Sequence, residues 1–184
     1  NAYKMSIFIS IASYQDPLLV STIFSAYNNA RNKDELVFSI CDQSDDGIKV
    51  EEIGFVDQIH YEHVNPLFSK GPCWARHRAQ NFFNDEDFFL QIDSHTQFAP
   101  NWDVIFIDQL NKIASTTSDD GYFEKPIITA YPRSFEVVDF DKGVFALNMG
   151  DKFTQVIMYR KDGLFSSGSF SRQIGMPTKY ADIT

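Results

Sequence analysis

A chain of 184 residues, 43% apolar and 15% aromatic, is long enough to bury a core of its own, which predicts a single domain over residues 1–184. The net charge of -9 and the isoelectric point near 4.8 disfavour a nucleic-acid or anionic-membrane surface, because clustered Lys and Arg hold such surfaces. No apolar run approaches the ~20 residues that cross a bilayer, and the first residues lack a secretory signal, which predicts a soluble protein that binds a small ligand.

Four apolar runs of strand length occur in the first half of the chain, and two helical patterns lie between them. The strand runs are 5–12, 35–42, 59–65 and 87–93, and the helical patterns are 18–30 and 71–83. Strands that alternate with helices are typical of a parallel sheet with helices on both faces. The sequence therefore predicts an α/β fold with a doubly wound, mostly parallel central sheet.

Both helical patterns carry start signals. Asp16 and Pro17 precede the first pattern, which predicts a capped helix with the proline in its first turn. Gly71 and Pro72 open the second pattern, whose apolar face extends to Phe83. Each helix is thus expected to begin directly after a short turn.

The later part of the chain is less regular. A helical pattern covers 102–115, and strand-like runs follow at 126–132, 144–149 and 154–159 with no helix between them. These runs predict a small antiparallel extension. The segment 162–171, "DGLFSSGSFS", is rich in small residues and predicts a flexible loop.

Cys41 and Cys73 are the only cysteines in the sequence. Two cysteines are too few for a disulfide framework, and their spacing does not suit a metal knuckle. We expect two free, buried thiols in the reducing cytosol.

Three loops follow the ends of predicted strands and are the places where an open parallel sheet binds its ligand. They are "SYQD" at 13–16, "DQSDD" at 42–46 and "DSHTQ" at 93–97. None contains a glycine-rich dinucleotide fingerprint or a phosphate-binding P-loop. Dinucleotide and nucleoside-triphosphatase functions are therefore disfavoured.

Asp93 and His95 stand two residues apart at the end of the fourth strand. A period of two predicts that both side chains lie on one face, where they could share a cation. A carboxylate oxygen and an imidazole nitrogen suit Mn²⁺, with Co²⁺ or Mg²⁺ as alternatives, and such an ion would neutralise a diphosphate. The plainer alternative is an aspartate that caps a turn beside a hydrogen-bonded histidine.

The segment "GPCWARHRAQNFFNDEDFFLQIDSH", 71–95, resembles the region before the metal motif of GT-A glycosyltransferases, and in detail the pattern of glycosyltransferase family 60. The opening block "IFISIASYQDPLL", 7–19, resembles the same family, with Gln15 where arginine is usual. The layout is also similar, more distantly, to mucin-type polypeptide GalNAc-transferases. The two blocks occur in the order and at the distance expected for this family.

The resemblance implies a GT-A fold and a retaining transferase that moves N-acetylglucosamine from UDP-GlcNAc to a hydroxyl of a protein or glycan acceptor, in the cytoplasm. It implies metal ligands at Asp93 and His95, and places Ser94 against the ribose. Arg76 would approach the nucleotide and, with Asp93, carry catalysis. As an alternative, Arg76 lies on the solvated face of an amphipathic helix.

Further positions follow from the same resemblance. Ser13 and Tyr14 would border the uridine, and Asp42 would accept a hydrogen bond from the uracil N–H. Gly168 and Ser169 would belong to the loop that contacts the donor sugar, unless 162–171 is a plain surface loop.

Members of the family continue with an acidic segment and a further histidine that helps to hold the metal, and neither is present here. A third metal ligand and most of the acceptor side are therefore expected outside this sequence. Two other functions stay open: a non-catalytic or truncated module that binds a sugar nucleotide, and a sugar-nucleotide nucleotidyltransferase. The latter is disfavoured because "SYQDP" has no glycine-rich loop.

Overall fold

The computed structural model describes residues 5–114, 127–129, 134–140, 142–147, 156–159 and 165–168. The chain divides into two compact units, residues 1–104 and 105–184, which are described in turn. The expectation of one domain over residues 1–184 stays a prediction.

The first unit contains a four-stranded parallel sheet in the order β3-β2-β1-β4. Its elements in chain order are β1 (Ile7–Tyr14), α1 (Leu19–Asn29), β2 (Leu36–Gln43), β3 (Ile59–His63), α2 (Pro72–Gln80), β4 (Phe88–Asp93) and the start of α3 (Trp102–Ala114). All four predicted strands and all three predicted helices are therefore confirmed.

Strands β1 and β2 form the core of the sheet. Phe8 and Ile9 of β1 and Phe38 of β2 are completely buried, although successive residues of a strand point to opposite faces. A strand that is covered on both faces has to be apolar without alternation, which explains the continuous apolar runs in the sequence.

The two helices after β1 and β3 cover opposite faces of the sheet. On one face, Phe38 packs against Phe55, whose ring stacks on Tyr27 of α1 with the ring centroids 3.6 Å apart. On the other face, the hydroxyl of Ser39 donates to the carbonyl of Ala79 in α2 at 2.7 Å. Because Phe38 and Ser39 are neighbours on one strand, these contacts confirm the doubly wound, GT-A-like arrangement.

The strand register brings the predicted ligand loops to one edge. Ser13 at the end of β1 is paired with Asp42 of β2, and Ala12 is paired with Asp93 of β4. The carboxyl ends of three neighbouring strands therefore lie side by side. The predicted position of the binding edge agrees with this register.

The ends of the first two helices differ from the sequence prediction. Helix α1 begins at Leu19, because Asp16 caps the preceding turn by accepting the Leu18 N–H at 2.9 Å and not the helix itself. Helix α2 ends at Gln80, and Phe83 lies beyond the helix. The N–H of Phe83 donates to the carbonyl of Gln80, three residues earlier, which closes a turn.

The two cysteines have different environments. Cys41 is buried against Ala75 and Ala79 of α2, and this burial raises the pKa of its thiol to about 11. Cys73 is exposed, so the prediction of two buried thiols is wrong for this residue. Helix α2 turns Ala75 and Ala79 toward the sheet, which leaves Cys73 on the solvent side.

The second unit contains two antiparallel strand pairs in addition to the rest of α3. Strand β5 (Phe135–Asp139) pairs with β6 (Val144–Leu147), and β7 (Val156–Tyr159) pairs with β8 (Phe165–Gly168). The antiparallel character of this region is confirmed. No helix in the described part of the chain has the length and the apolar character of a membrane span.

One predicted strand in this unit is not found among the described residues, and two observed strands were not predicted. The described residues 127–129 form no strand, β5 was not predicted, and β8 lies in the segment that was predicted to be a flexible loop. Pairing with a neighbouring strand decides strand formation more than composition does, so β8, which contains two serines and a glycine, is extended opposite β7.

Candidate functional site

The candidate site begins where β4 ends. Asp93 is the last residue of the strand, and Ser94 and His95 form a turn. The alternation of a strand therefore does not extend to His95, and the argument that placed Asp93 and His95 on one face does not apply. Both of their side chains are nevertheless open to solvent, with exposed fractions of 63% and 59%, whereas Ser94 is buried.

Asp16, at the end of the β1 loop, determines how this turn is held. Its Oδ2 accepts hydrogen bonds from the Ser94 hydroxyl and from Nδ1 of His95, each at 2.7 Å. A carboxylate can only accept, so Nδ1 carries the hydrogen and the Nε2 of a neutral ring keeps its lone pair. Burial raises the pKa of Asp16, but the hydrogen bonds from His95, Ser94 and the Leu18 N–H outweigh it and leave that pKa lowered.

Helix α1 supports the same turn from behind. The buried hydroxyl of Thr22 donates to the Ser94 carbonyl at 2.6 Å and accepts from the Thr96 N–H at 2.9 Å. One turn further along the helix, the Ser25 hydroxyl accepts from the Phe98 N–H at 2.9 Å. Residues three apart lie on one helix face, so α1 presents a row of hydroxyl groups to the segment after β4.

Arg76 of α2 reaches the site from the other face of the sheet. Its Nη2 lies 3.2 Å from Oδ1 of Asp93. Its Nε is buried and has no hydrogen-bond partner among the described residues. Arg76 therefore lies at the carboxyl edge of the sheet with unused hydrogen-bonding capacity, and its contact with a nucleotide stays a prediction.

The three residues assigned to the uridine lie at the ends of β1 and β2. Ser13 and Asp42 are paired in register, and both are buried. The Asp42 carboxylate is only 1% exposed and accepts from the hydroxyl of Tyr61 at 2.9 Å. Tyr14, in contrast, is 58% exposed. Tyr14 is thus the only one of the three with a side chain open to a ligand in this conformation.

Tyr61 of β3 was not identified from the sequence. Its hydroxyl donates to Asp42 and accepts from the Ile48 N–H at 2.9 Å, which ties the loop after β2 to the sheet. Burial is the main reason why the pKa of Tyr61 is raised. The tie between β2 and β3 depends on strand pairing, which no local pattern in the sequence reports.

The loop that contains Asp45 and Asp46 turns at Gly47. The φ of Gly47 is +69°, a left-handed conformation that favours glycine. A Cβ atom at this position would lie 2.8 Å from the Tyr61 hydroxyl oxygen and 3.1 Å from the His63 ring. The turn therefore needs glycine both for its backbone conformation and for its close packing.

The described residues contain no group of three or more His, Cys, Asp or Glu side chains that could hold a metal ion. Asp93 and His95 provide two donors, an oxygen and a nitrogen, at the same turn. An oxygen and a nitrogen are the donor types that Mn²⁺ accepts, and binding of a cation by this pair stays a prediction.

A family model described as Glycosyltransferase (GlcNAc) matches residues 44–162, which is more than half of the chain. The chain belongs to this glycosyltransferase family. Comparison with curated proteins and with solved structures finds no significant match. A glycosyltransferase transfers a sugar from a donor to an acceptor, which agrees with a ligand edge on an α/β sheet.

The glycosyltransferase match includes α2, β4 and the turn after it, and therefore Arg76, Asp93 and His95. Strand β1 and Asp42 lie before the matched segment. Strand pairing and the hydrogen bonds of Asp16 connect them to it, so the candidate site combines residues from both parts of the chain.

The residues assigned to the donor sugar lie in the second unit of this glycosyltransferase. Gly168 is the last residue of β8 and is paired with Val156 of β7. Ser169 lies outside the described residues. Their contact with a sugar stays a prediction.

Ser94, which was predicted to lie against the ribose, does not present its hydroxyl to a ligand in this structure. Its hydroxyl is directed at Asp16 and its side chain is buried, so that hydroxyl is already used within the protein. Contact between Ser94 and a ribose stays a prediction.

Proposed function

We propose that this glycosyltransferase moves N-acetylglucosamine from UDP-GlcNAc to an acceptor hydroxyl with retention of configuration, and that it belongs with glycosyltransferase family 60. A divalent cation bound by Asp93 and His95 would hold the diphosphate of the donor. The observation that carries the proposal is the open position of both side chains at the carboxyl edge of the sheet, inside the segment matched by the family. Two free cysteines are compatible with a cytoplasmic location.

The chemistry of the two ligands supports Mn²⁺, with Co²⁺ or Mg²⁺ as alternatives. Asp93 offers a carboxylate oxygen, and His95 offers Nε2 because its Nδ1 is bonded to Asp16. When bound, the cation supplies Lewis-acid stabilisation of the charge on the leaving diphosphate. Two protein ligands leave coordination positions for the phosphate oxygens and for water.

The nucleotide base would lie against β1 and β2. The exposed ring of Tyr14 gives a surface for stacking, and the Ser13 hydroxyl has no hydrogen-bond partner among the described residues. Asp42 would accept the uracil N–H after the Tyr61 hydroxyl or the turn at Gly47 moves aside, since its carboxylate is enclosed in the conformation seen here. Binding of UDP would therefore rearrange the loop after β2.

Arg76 would stabilise the departing UDP. Its guanidinium lies beside Asp93, where the diphosphate would dock, and it carries N–H donors that suit phosphate oxygens. Asp16 and Asp42 accept hydrogen bonds within the protein, which makes both poor nucleophiles toward a sugar. A front-face route fits this arrangement, with the leaving phosphate oxygen taking the proton of the acceptor hydroxyl.

Release of UDP from UDP-GlcNAc, measured with and without Mn²⁺, tests the proposal, because many transferases slowly transfer the sugar to water. We expect Mn²⁺-dependent release, faster from UDP-GlcNAc than from UDP-galactose or UDP-glucose. Binding of UDP without release from any donor would favour the non-catalytic module. Absence of both binding and release would overturn the proposal.

A further inference from the structure

His95 is held from the side opposite to its free nitrogen. Its Nδ1–H donates to Oδ2 of Asp16 at 2.7 Å, and the ring itself is 59% exposed. Solvent does not fix the orientation of an exposed imidazole, so this hydrogen bond is the specific contact that selects one tautomer.

We infer that Asp16 is a positioning residue that keeps His95 in the Nδ1–H tautomer, with Nε2 directed away from the loop as a cation ligand. The inference rests on the proposed function, in which His95 binds the cation of the donor diphosphate. A carboxylate behind a ligating imidazole fixes the ring and raises the basicity of the ligand nitrogen. In this role Asp16 acts only through His95.

Asp16 is itself held firmly enough for this task. Its Oδ1 accepts from the Leu18 N–H, and its Oδ2 accepts from Ser94 as well as His95. Thr22 fixes the backbone on both sides of His95 through the Ser94 carbonyl and the Thr96 N–H. Both the carboxylate and the turn that carries the ring are therefore restrained, which makes the orientation of the ring reproducible.

The substitution Asp16→Asn distinguishes selection of the His95 tautomer from mere support of the turn. In Asp16→Asn the amide oxygen is expected to keep the Leu18 N–H, because the opposite orientation would set two donor groups against each other. The amide NH₂ would then face His95, whose Nδ1 would have to accept. The ring would change to the Nε2–H tautomer and lose its free ligand nitrogen.

Nitrogen NMR of the imidazole rings in the metal-free protein reads the tautomer directly, with His95→Gln used to assign the signals. We expect the Nδ1–H form of His95 in the wild type and the Nε2–H form in Asp16→Asn. In Ser94→Ala, His95 should keep the Nδ1–H tautomer of the wild type, because this variant retains the hydrogen bond between Asp16 and His95. The same tautomer in wild type and Asp16→Asn would overturn the inference.

The affinity for Mn²⁺ provides the second readout. It should fall about 10- to 100-fold in Asp16→Asn, as for other residues that support a metal ligand, and recover in part in Asp16→Glu. Asp103→Asn is the matched control, since Asp103 is a buried carboxylate that accepts from the Arg31 and Asn32 N–H groups, and it should keep the wild-type affinity.

The two readouts distinguish the inference from the proposed function. A changed tautomer with unchanged Mn²⁺ affinity would overturn the positioning role of Asp16. A wild-type protein that binds neither Mn²⁺ nor UDP would overturn the proposed function. A comparison of the tautomers in wild type and Asp16→Asn would still decide whether Asp16 selects the tautomer of His95. If Asp16→Asn does not fold, the wild-type protein carries the tautomer measurement, and an Nε2–H ring of His95 in the wild type would overturn the inference.

Discussion

The guanidinium of Arg76 lies 3.2 Å from the carboxylate of Asp93, and this pair joins α2 to the end of β4 at the open edge of the sheet. Both side chains are partly or largely exposed, with exposed fractions of 34% and 63%. An ion pair in such a position contributes at most about 1 kcal/mol to the free energy of unfolding. The pair therefore contributes little to stability, and its role in ligand binding stays a proposal.

Replacement of Arg76 should separate activity from stability. In Arg76→Ala we expect the rate of UDP release to fall about 100-fold or more, because a donor to the developing charge of the leaving group is lost. Loss of the ion pair should lower the free energy of unfolding by no more than about 1 kcal/mol, since Asp93 is largely exposed. Donor turnover and urea unfolding of the same variant measure the two quantities.

Arg78→Ala is the matched control for this experiment. It removes the same charge from the same helix, but Arg78 is paired with Glu62 and lies over Trp74. Its rate of UDP release should stay near that of the wild type. Equal loss of activity in the two variants would remove the specific role of Arg76.

Gly47 should tolerate no side chain. Gly47→Ala places a Cβ atom 2.8 Å from the Tyr61 hydroxyl oxygen in a backbone with a φ of +69°. Strain and the disturbed hydrogen bond to Asp42 should lower the free energy of unfolding by roughly 1–3 kcal/mol. Gly54→Ala is the control, because nothing lies within 4 Å of the added atom, and it should be close to neutral. Equal stability of both variants in urea unfolding would contradict the packing of this turn.

The stability of the protein should fall in alkali, in part because of Cys41. Burial raises the pKa of this thiol from 9.0 to about 11. The protonated thiol contributes fully to the free energy of unfolding below pH 9. This contribution is lost as the pH rises toward 11, because the thiol of the unfolded chain releases its proton at a lower pH than the buried one. In Cys41→Ala the free energy of unfolding should therefore fall less steeply with pH between 9 and 11, by up to about 1.4 kcal/mol per pH unit.

Cys73→Ala is the control for the loss of a cysteine as such, since Cys73 is exposed. Urea unfolding at several pH values between 8 and 11 gives the slope for each variant. The slope of the free energy of unfolding against pH should be reduced more in Cys41→Ala than in Cys73→Ala. The same slope in both would refute the assignment to the buried thiol.

Thr22 gives a test of the support that α1 provides. Thr22→Val keeps the shape but leaves the buried Ser94 carbonyl and the partly buried Thr96 N–H without their partner, and the carbonyl alone should cost roughly 1–3 kcal/mol of stability. Thr22→Ser keeps the hydroxyl and should be the more stable of the two in urea. A Thr22→Val protein as stable as Thr22→Ser would show that the hydroxyl does not restrain the turn.

The central sheet could be predicted because β1 and β2 are buried on both faces, and a strand in that position must be apolar throughout. The carboxyl edge followed from the same reasoning, since parallel strands end together. The short β8 could not be predicted, because its serines and glycine have low strand preference and its pairing with β7 is not visible in the local sequence.

The details of the site depended on contacts between distant parts of the chain. Asp16 lies 79 residues before His95, and Tyr61 lies 19 residues after Asp42. Local patterns marked Asp16 as a cap and gave no role to Tyr61, whereas the structure makes both of them hydrogen-bond partners of predicted site residues. Side-chain direction in a turn, as at His95, likewise follows from its neighbours and not from a period in the sequence.

Titration calorimetry of UDP in the presence and absence of Mn²⁺ tests the central claim most directly. We expect the wild type to bind UDP with an affinity that depends on Mn²⁺, and both Asp93→Asn and His95→Gln to lose that dependence. Both side chains are exposed, so the two variants should remain folded. Binding of UDP that is the same with and without Mn²⁺, or unchanged in Asp93→Asn, would contradict a cation site formed by these two residues.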